Sequence, residues 1–443
     1  MIFLQCKILF EMKKKFTFID LFAGVGGFRI AAEVLGGECV GFSEIDQSAI
    51  DVYKDNFSNH NECFLGDITK LNELKYADVF FGGVPCQAWS VAGKKLGFDD
   101  PRGKLWEDTI RVTSTNKPKV FIYENVKGLL DPRNKLSLNL IINQFNKSGY
   151  HTYYSLLNSF DYGLPQNRDR IFIIGIRKDL TNRPFIFPKP IDHNNNLSSI
   201  IDELPKNKIK KKDFSPKDLF GDQLPASRNR FQKNNELNDF FIFCDTRDGH
   251  TTIHSWDIKQ STKRDREICL TILKNRRKSI YGKWDGNPMS YDDLKKLIPD
   301  LKKREMSRLI KKDFLKKEII EDIEKYELKN TKNSAGIFGV YRVFMPASKI
   351  FSTITATENR DYISLVEIEG KNSDQYKKDF IQKVFKKGKF RLLNGRETAR
   401  LQGFPDSFKI HENDKTAKKH FGNAVPVNVV TSIIQELINQ KFI

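Results

Sequence analysis

The chain has 443 residues, 39% of them hydrophobic, which is comfortable for two packed domains and long for one. Its 75 lysines and arginines against 56 aspartates and glutamates give a net charge of +19, so a polyanion, nucleic acid foremost, is the expected partner. Mean hydropathy of −0.50, with no apolar run near the roughly 20 residues of a spanning helix, argues against a membrane protein.

Met1 to Phe10 is apolar but short, is interrupted by Lys7, and lacks the basic start and small-residue cleavage site of a signal peptide. Met12, ahead of Lys13-Lys14-Lys15, serves equally well as a natural start, and a cytoplasmic protein is expected. Cys6, Cys39, Cys63, Cys86, Cys244 and Cys269 form no CxxC pair, which points to a reducing compartment rather than a disulfide framework.

From about residue 16 to 190, apolar runs alternate with amphipathic stretches. Strands are expected at Phe16–Phe22, Cys39–Ser43, Val79–Gly82, Val120–Tyr123 and Arg170–Ile176, with helices such as Phe28–Leu35 and Gln47–Phe57 between them. This alternation predicts an α/β fold, a doubly wound, largely parallel Rossmann-like sheet. The domain reading is 13–190 with 415–443 as a catalytic, cofactor-binding domain, and 191–414 as a smaller mixed domain rich in Lys, Arg and Asn. Within the latter, apolar residues at three-and-four spacing around Pro299 predict two short helices at 290–318. They would suit a helix-turn-helix module or a solvated helical hairpin.

Gly24, Gly26 and Gly27 follow the first strand directly, where a bare backbone can turn tightly and approach a ligand. Glu44, at the end of the second strand, is placed to grip ribose hydroxyls, and Asp67 to reach an adenine amino group. The loop is not GxGxxG, which favours S-adenosylmethionine over a nicotinamide cofactor. Cys86, next to Pro85 where an apolar run opens into a loop, is a candidate nucleophile. Glu124 ends another strand, and Arg168 and Arg170 lead into the next, so all three should share one rim with Cys86. A thiol, an acid and two guanidinium groups beside a cofactor loop suit attack on an electron-poor ring. Singly, each has a plainer account: a buried thiol, a helix cap, a salt-bridged face.

The segments Asp20-Leu21-Phe22-Ala23-Gly24-Val25-Gly26-Gly27-Phe28, Gly83-Val84-Pro85-Cys86-Gln87, Glu124-Asn125-Val126 and Gln166-Asn167-Arg168-Asp169-Arg170 come in a set order. They are followed by Glu397 to Pro405 and Phe421-Gly422-Asn423-Ala424-Val425. In this order the chain resembles the DNA cytosine-5 methyltransferases of bacterial restriction–modification systems, over nearly all its length outside residues 195 to 345. The resemblance implies that the Cys86 thiolate attacks carbon 6 of cytosine. It implies that Glu124 holds N3 and the exocyclic amine, that Arg170 fixes the ring carbonyl, and that Arg168 helps stabilise the anionic intermediate. For S-adenosylmethionine it implies Phe22 and Ile45 at the adenine, Glu44 on the ribose, Asp67 and Ile68 at the adenine edge, Pro85 and Leu105 on the methionine side, and Asn423 closing that pocket. Ile45 stands where some members carry an aromatic, and Ala424 where serine is common.

A cytosine stacked in a duplex must be flipped out to meet a thiol, so double-stranded DNA is the implied partner. Gln87 to Asp100, with Ser90 and the glycines Gly93 and Gly97, is expected to close over DNA, Lys94 and Lys95 meeting phosphates. Residues 195 to 345 fit a target-recognition region in which Arg247 and His250 read bases, and Thr353 is expected to hold a backbone phosphate. Cys244, His250, His254 and Cys269 match no standard zinc-finger spacing, so no metal is expected. A monomer serving beside a separate cognate endonuclease is the expected setting. A tRNA cytosine-5 methyltransferase and a catalytically inactive DNA-binding protein are the alternatives.

Overall fold

The computed structural model describes residues 16–57, 62–85, 104–202, 259–283, 286–329, 341–357, 361–368 and 373–443, and the backbone at 241–244 and 252–253. The chain divides into two compact units. One comprises Met1–Asn195, Ser352–Asn359 and Asn394–Ile443; the other comprises Asn196–Phe351 and Arg360–Leu393.

The first unit is built on seven strands: β1 (Phe16–Leu21), β2 (Gly37–Ser43), β3 (Cys63–Phe64), β4 (Val79–Gly83), β5 (Val120–Val126), β6 (Tyr150–Asn158) and β7 (Asp169–Arg177). Their order is β3-β2-β1-β4-β5-β7-β6. The first five are parallel; β7 runs antiparallel to both β5 and β6. Helices α1 (Gly27–Glu33), α2 (Gln47–Phe57), α3 (Leu105–Asn116) and α4 (Lys135–Lys147) are the crossovers. Strands covered on both faces must be apolar throughout. Accordingly Val79, Phe81, Val120, Phe121 and Ile122 are fully buried.

Two observations depart from the sequence reading. β6 was not anticipated; its residues are mostly half-exposed, so it lacks the solid apolar run that marks its neighbours. The basic domain was also drawn too wide. Ser352–Thr357 and Asn394–Asp414 belong to the first unit, where Gln166 Nε2 donates to Leu401 O at 2.9 Å and Arg168 Nη1 to Ile354 O at 2.9 Å.

In the second unit, β8 (Phe241–Cys244), β9 (Thr252–Ile253), β13 (Tyr341–Phe344), β14 (Asp361–Ser364) and β15 (Phe390–Leu392) form a sheet of order β15-β14-β13-β8-β9. Between β9 and β13 lie α5 (Lys263–Asn275), β10 (Met289–Ser290), α6 (Tyr291–Leu297), α7 (Lys303–Lys311), β11 (Leu315–Ile320) and β12 (Ile323–Leu328). The short strands pair β10-β12-β11. Thr262 starts α5 with a reciprocal cap: its Oγ1 accepts from Asp265 N, and Asp265 Oδ2 accepts from Thr262 N. The helices expected around Pro299 are α6 and α7, and they are not a solvated hairpin. Leu294, Leu301, Met306 and Leu309 close on Ile268, Met289 and Leu328 in a separate core.

Helix α8 (Ser373–Asp379) completes the second unit, and α9 (Gly395–Leu401), α10 (Asp414–Asn423) and α11 (Val427–Asn439) complete the first. On α10, His420 is buried with Nε2 at 2.9 Å from Ser48 Oγ, and burial pushes its pKa down. A histidine that resists protonation when folded lets the unfolded chain bind the extra proton. Stability is therefore full above the ordinary imidazole value of about 6.5 and falls as pH drops through it. The melting temperature should decline on acidification from about pH 7 to pH 5, and less steeply in His420→Gln, as followed by circular dichroism. Among the described residues no helix is long and apolar enough to cross a membrane.

Candidate active site

Leu21 pairs with Gly82, so the loops after β1 and β4 leave the sheet side by side, where the strand order reverses. Open α/β sheets hold ligands in that crevice. The loop after β1 turns sharply, with positive φ at Phe22 (54°), Gly24 (55°) and Gly26 (91°). A side chain at Gly24 would meet no described atom within 4 Å, so its backbone faces open space. At Gly26 it would run into Phe57 at 2.5 Å, and at Gly27 into Val425 at 2.9 Å. Of the three predicted ligand-facing glycines, only Gly24 has that character; the other two are demanded by packing.

Glu44 lies against this turn. Its Oε2 accepts from Gly24 N at 2.8 Å, and its Oε1 from Ile45 N at 2.7 Å and Asp46 N at 2.9 Å. Three amides hold the carboxylate still, and two oxygens retain acceptor capacity for a vicinal diol. The next side chain, Ile45, is 75% exposed, an apolar surface open to a flat ring. Ser43 Oγ donates to Gly66 O at 2.6 Å, drawing in the loop on which Asp67 Oδ1 accepts from Thr69 N at 3.0 Å. Ile68 is buried in the core beneath. Phe22, Leu105 and Pro85 are half-buried, and exposed Asn423 ends α10 two residues before Val425, which packs on Gly27. Bare backbone, anchored carboxylate, open apolar surface and a second acid fit the adenosine part of S-adenosylmethionine.

Cys86, Gln87, Ser90, Lys94, Lys95, Arg247 and His250 lie outside the described residues. The approach to Cys86 is described. Gly83, the last residue of β4, pairs with Glu124, and buried Asn125 donates from Nδ2 to Val84 O at 3.1 Å. That tether gives Asn125 a role that sequence reasoning missed; only its place between Glu124 and Val126 hinted at one. Glu124 is nearly buried and meets Arg170 Nε through Oε1 at 2.7 Å, while Arg170 Nη1 donates to Asp169 O at 2.8 Å. Burial pushes the Glu124 carboxyl up, against the opposing pull of Arg170 and Arg168. An acid that holds its proton more readily can share it with a ring nitrogen. Glu124→Gln keeps the shape without that proton. It should cut single-turnover methyl transfer by about 10²–10⁴-fold while DNA affinity stays within a few-fold.

Arg168 and Thr353 both bond main-chain carbonyls. Arg168 is only 1% exposed, and its guanidinium donates to Ile354 O at 2.9 Å, Gly422 O at 3.1 Å and Ala424 O at 2.9 Å. It positions backbone, while its charge still acts on Glu124. The Thr353 hydroxyl donates to Asn167 O at 2.5 Å. The buried thiols of Cys39 and Cys269 are pushed up to about 12 by desolvation, so neither offers a thiolate near neutrality.

Residues 16–247 and 249–439 match the model of the C-5 cytosine-specific DNA methylases, and the chain belongs to that family. Its reaction is methyl transfer to carbon 5 of cytosine in DNA at specific sequences, and its cofactor is S-adenosylmethionine. Among its relatives, the Type II methylase M.HgiEI of Herpetosiphon aurantiacus is 46% identical over 430 residues, covering 96% of this chain and 97% of its own. The Type II methyltransferase M.HhaI of Haemophilus parahaemolyticus is 30% identical over 431 residues, 96% of each chain. Similar solved structures include a triple mutant of Spodoptera frugiperda DNMT2, with TM-score 0.53 and 17% identity over 96% of this chain and 100% of that one. Another is the Entamoeba histolytica methyltransferase EhMeth, with TM-score 0.53 and 14% identity over 97% and 99%. These structural likenesses are of fold, and the fold is the Rossmann-like methyltransferase sheet expected from the sequence.

Proposed function

We propose that this methyltransferase is the modification enzyme of a Type II restriction–modification pair, marking one short duplex sequence so that a separate cognate endonuclease spares it. The Type II names of its relatives support the reading. The observation that carries the site assignment is the buried Glu124–Arg170 pair, one strand across from the residue that leads to Val84, Pro85 and Cys86.

In the proposed mechanism the Cys86 thiolate adds to carbon 6 of a flipped-out cytosine. Glu124 hydrogen-bonds N3 and the exocyclic amine, drawing electron density from carbon 6, while Arg170 orients Glu124 and meets the ring carbonyl. When bound against Gly24, Glu44, Ile45 and Asp67, S-adenosylmethionine supplies an electrophilic methyl group. Loss of the carbon 5 proton to a water molecule then expels the Cys86 sulfur as thiolate and restores the aromatic ring. Arg168 acts at a distance, holding the Ile354, Gly422 and Ala424 carbonyls, the last next to Val425, which packs on Gly27.

The second unit is proposed to select the target, with Arg247 and His250 at base edges and Gln87, Ser90, Lys94 and Lys95 closing from the loop after Cys86. A monomer suffices in this reading, because one chain supplies the cofactor turn, the acid–arginine pair and the thiol. A cytoplasmic location follows from its DNA substrate. Bisulfite sequencing of DNA from cells expressing the protein tests the whole: one short motif methylated throughout is expected, and unmodified DNA alongside radiolabel on tRNA would overturn it.

A further inference from the structure

Within the second unit, helix α5, strand β10, helices α6 and α7 and the hairpin β11–β12 follow one another, with β10 paired to β12. That order and pairing are those of a winged helix-turn-helix, whose second turn helix enters a DNA major groove. In this module that helix is α7. The stretch from Lys259 to Lys329 carries 21 lysines and arginines against 13 aspartates and glutamates.

The charges are sorted by face. Met306 and Leu309 turn inward and are fully buried. Arg308 and Lys312 both meet Asp265 at 2.8 Å, and Arg264 meets Glu305 at 3.1 Å, which pins α5 to α7. Lys303, Arg304, Ser307 and Lys311 are exposed on the outer face. Lys303 and Lys311 are eight residue steps apart, about 12 Å at 1.5 Å per step, close to the width of a major groove. The hairpin is different. Two of its lysines are neutralised within it, Lys316 by Glu318 and Glu327 and Lys317 by Glu324, and its tip is Glu321-Asp322 between exposed Ile319 and Ile323.

We propose that α7 is a recognition helix that docks in the major groove of duplex DNA through Lys303, Arg304, Ser307 and Lys311, with the hairpin held clear of the phosphates. The proposal rests on DNA as the substrate and adds a second contact to the one made at the flipped base.

The test uses the full-length protein, with a plasmid-derived duplex carrying the methylated site and fluorescence anisotropy over a salt series. Lys303→Ala/Arg304→Ala/Lys311→Ala should raise Kd at least about tenfold and lower the slope of log affinity against log salt by about one per lost phosphate contact. Its kcat at saturating DNA and its thermal melt should match the wild type. Lys316→Ala/Lys317→Ala, removing hairpin charges already paired, should leave the slope nearly intact. Arg304→Ala alone gives a smaller loss in the same direction. A wild-type slope in the triple variant, equal losses in the helix and hairpin variants, or a loss confined to structured RNA would overturn the proposal. Failure of the wild type to methylate the duplex counts against the substrate reading; an unchanged slope with methylation intact counts against the helix alone.

Discussion

Cys86→Ala should lose methyl transfer by about 10⁴-fold or more while still binding both DNA and cofactor. The reaction needs a nucleophile at carbon 6 before carbon 5 can attack an electrophile, and no buried thiol among the described residues can substitute, since Cys39 and Cys269 are held protonated. Cys86→Ser should fare little better, because a hydroxyl is seldom ionised near neutral pH and is a weak nucleophile without a base to activate it. Tritium release from duplex labelled at carbon 5 of cytosine reads the loss, and anisotropy with a labelled duplex reads the retained binding. Release at the wild-type rate would falsify the covalent route.

Arg168→Leu should cost about 3–5 kcal/mol of stability, a large loss for a polar residue. Three carbonyls lose charged donors, each such bond contributing roughly 1.5–3 kcal/mol, and the Ile354 and Gly422 bonds are buried where water cannot readily replace the donor. Against a typical domain stability of about 5–15 kcal/mol, that is a large fraction. Arg168→Lys should recover only part, because a point charge cannot reproduce a planar fork that meets several acceptors at once. Urea unfolding measures both variants. An unchanged urea midpoint with lowered kcat would return Arg168 to the role first expected of it, at the reacting ring.

Arg168 also shows what a sequence conceals. Its position in Gln166-Asn167-Arg168-Asp169-Arg170 announces a functional rim, but its partners are main-chain carbonyls from segments far along the chain, and carbonyls leave no mark in a sequence. Asn125 was hidden in the same way, its acceptor being the Val84 carbonyl. Strands β1, β2, β4, β5 and β7 were legible because burial on both faces demands unbroken apolar runs, whether the strand runs parallel or, like β7, antiparallel. Edge strand β6 was not, since Tyr154 and Leu156 stand partly in solvent. Glu44 and Gly24 were legible as a pair because strand ends and glycine turns follow local rules, whereas the inward duty of Gly26 and Gly27 depends on Phe57 and Val425. In the second unit, α6 and α7 could be read from spacing around Pro299, but the strand pairing that makes them part of a winged module could not.

The tethers of Arg168 have a kinetic corollary. The acceptors lie 186 to 256 residues downstream of the donor. At about 5–20 residues per second, a ribosome needs roughly 10–50 s to make that much chain. Through that interval the emerging sheet lacks α11, whose Val429, Val430, Ile433 and Ile434 are fully buried once folded. Nascent chains should therefore recruit chaperones until translation nears completion, and premature termination should yield aggregates rather than a partially active enzyme.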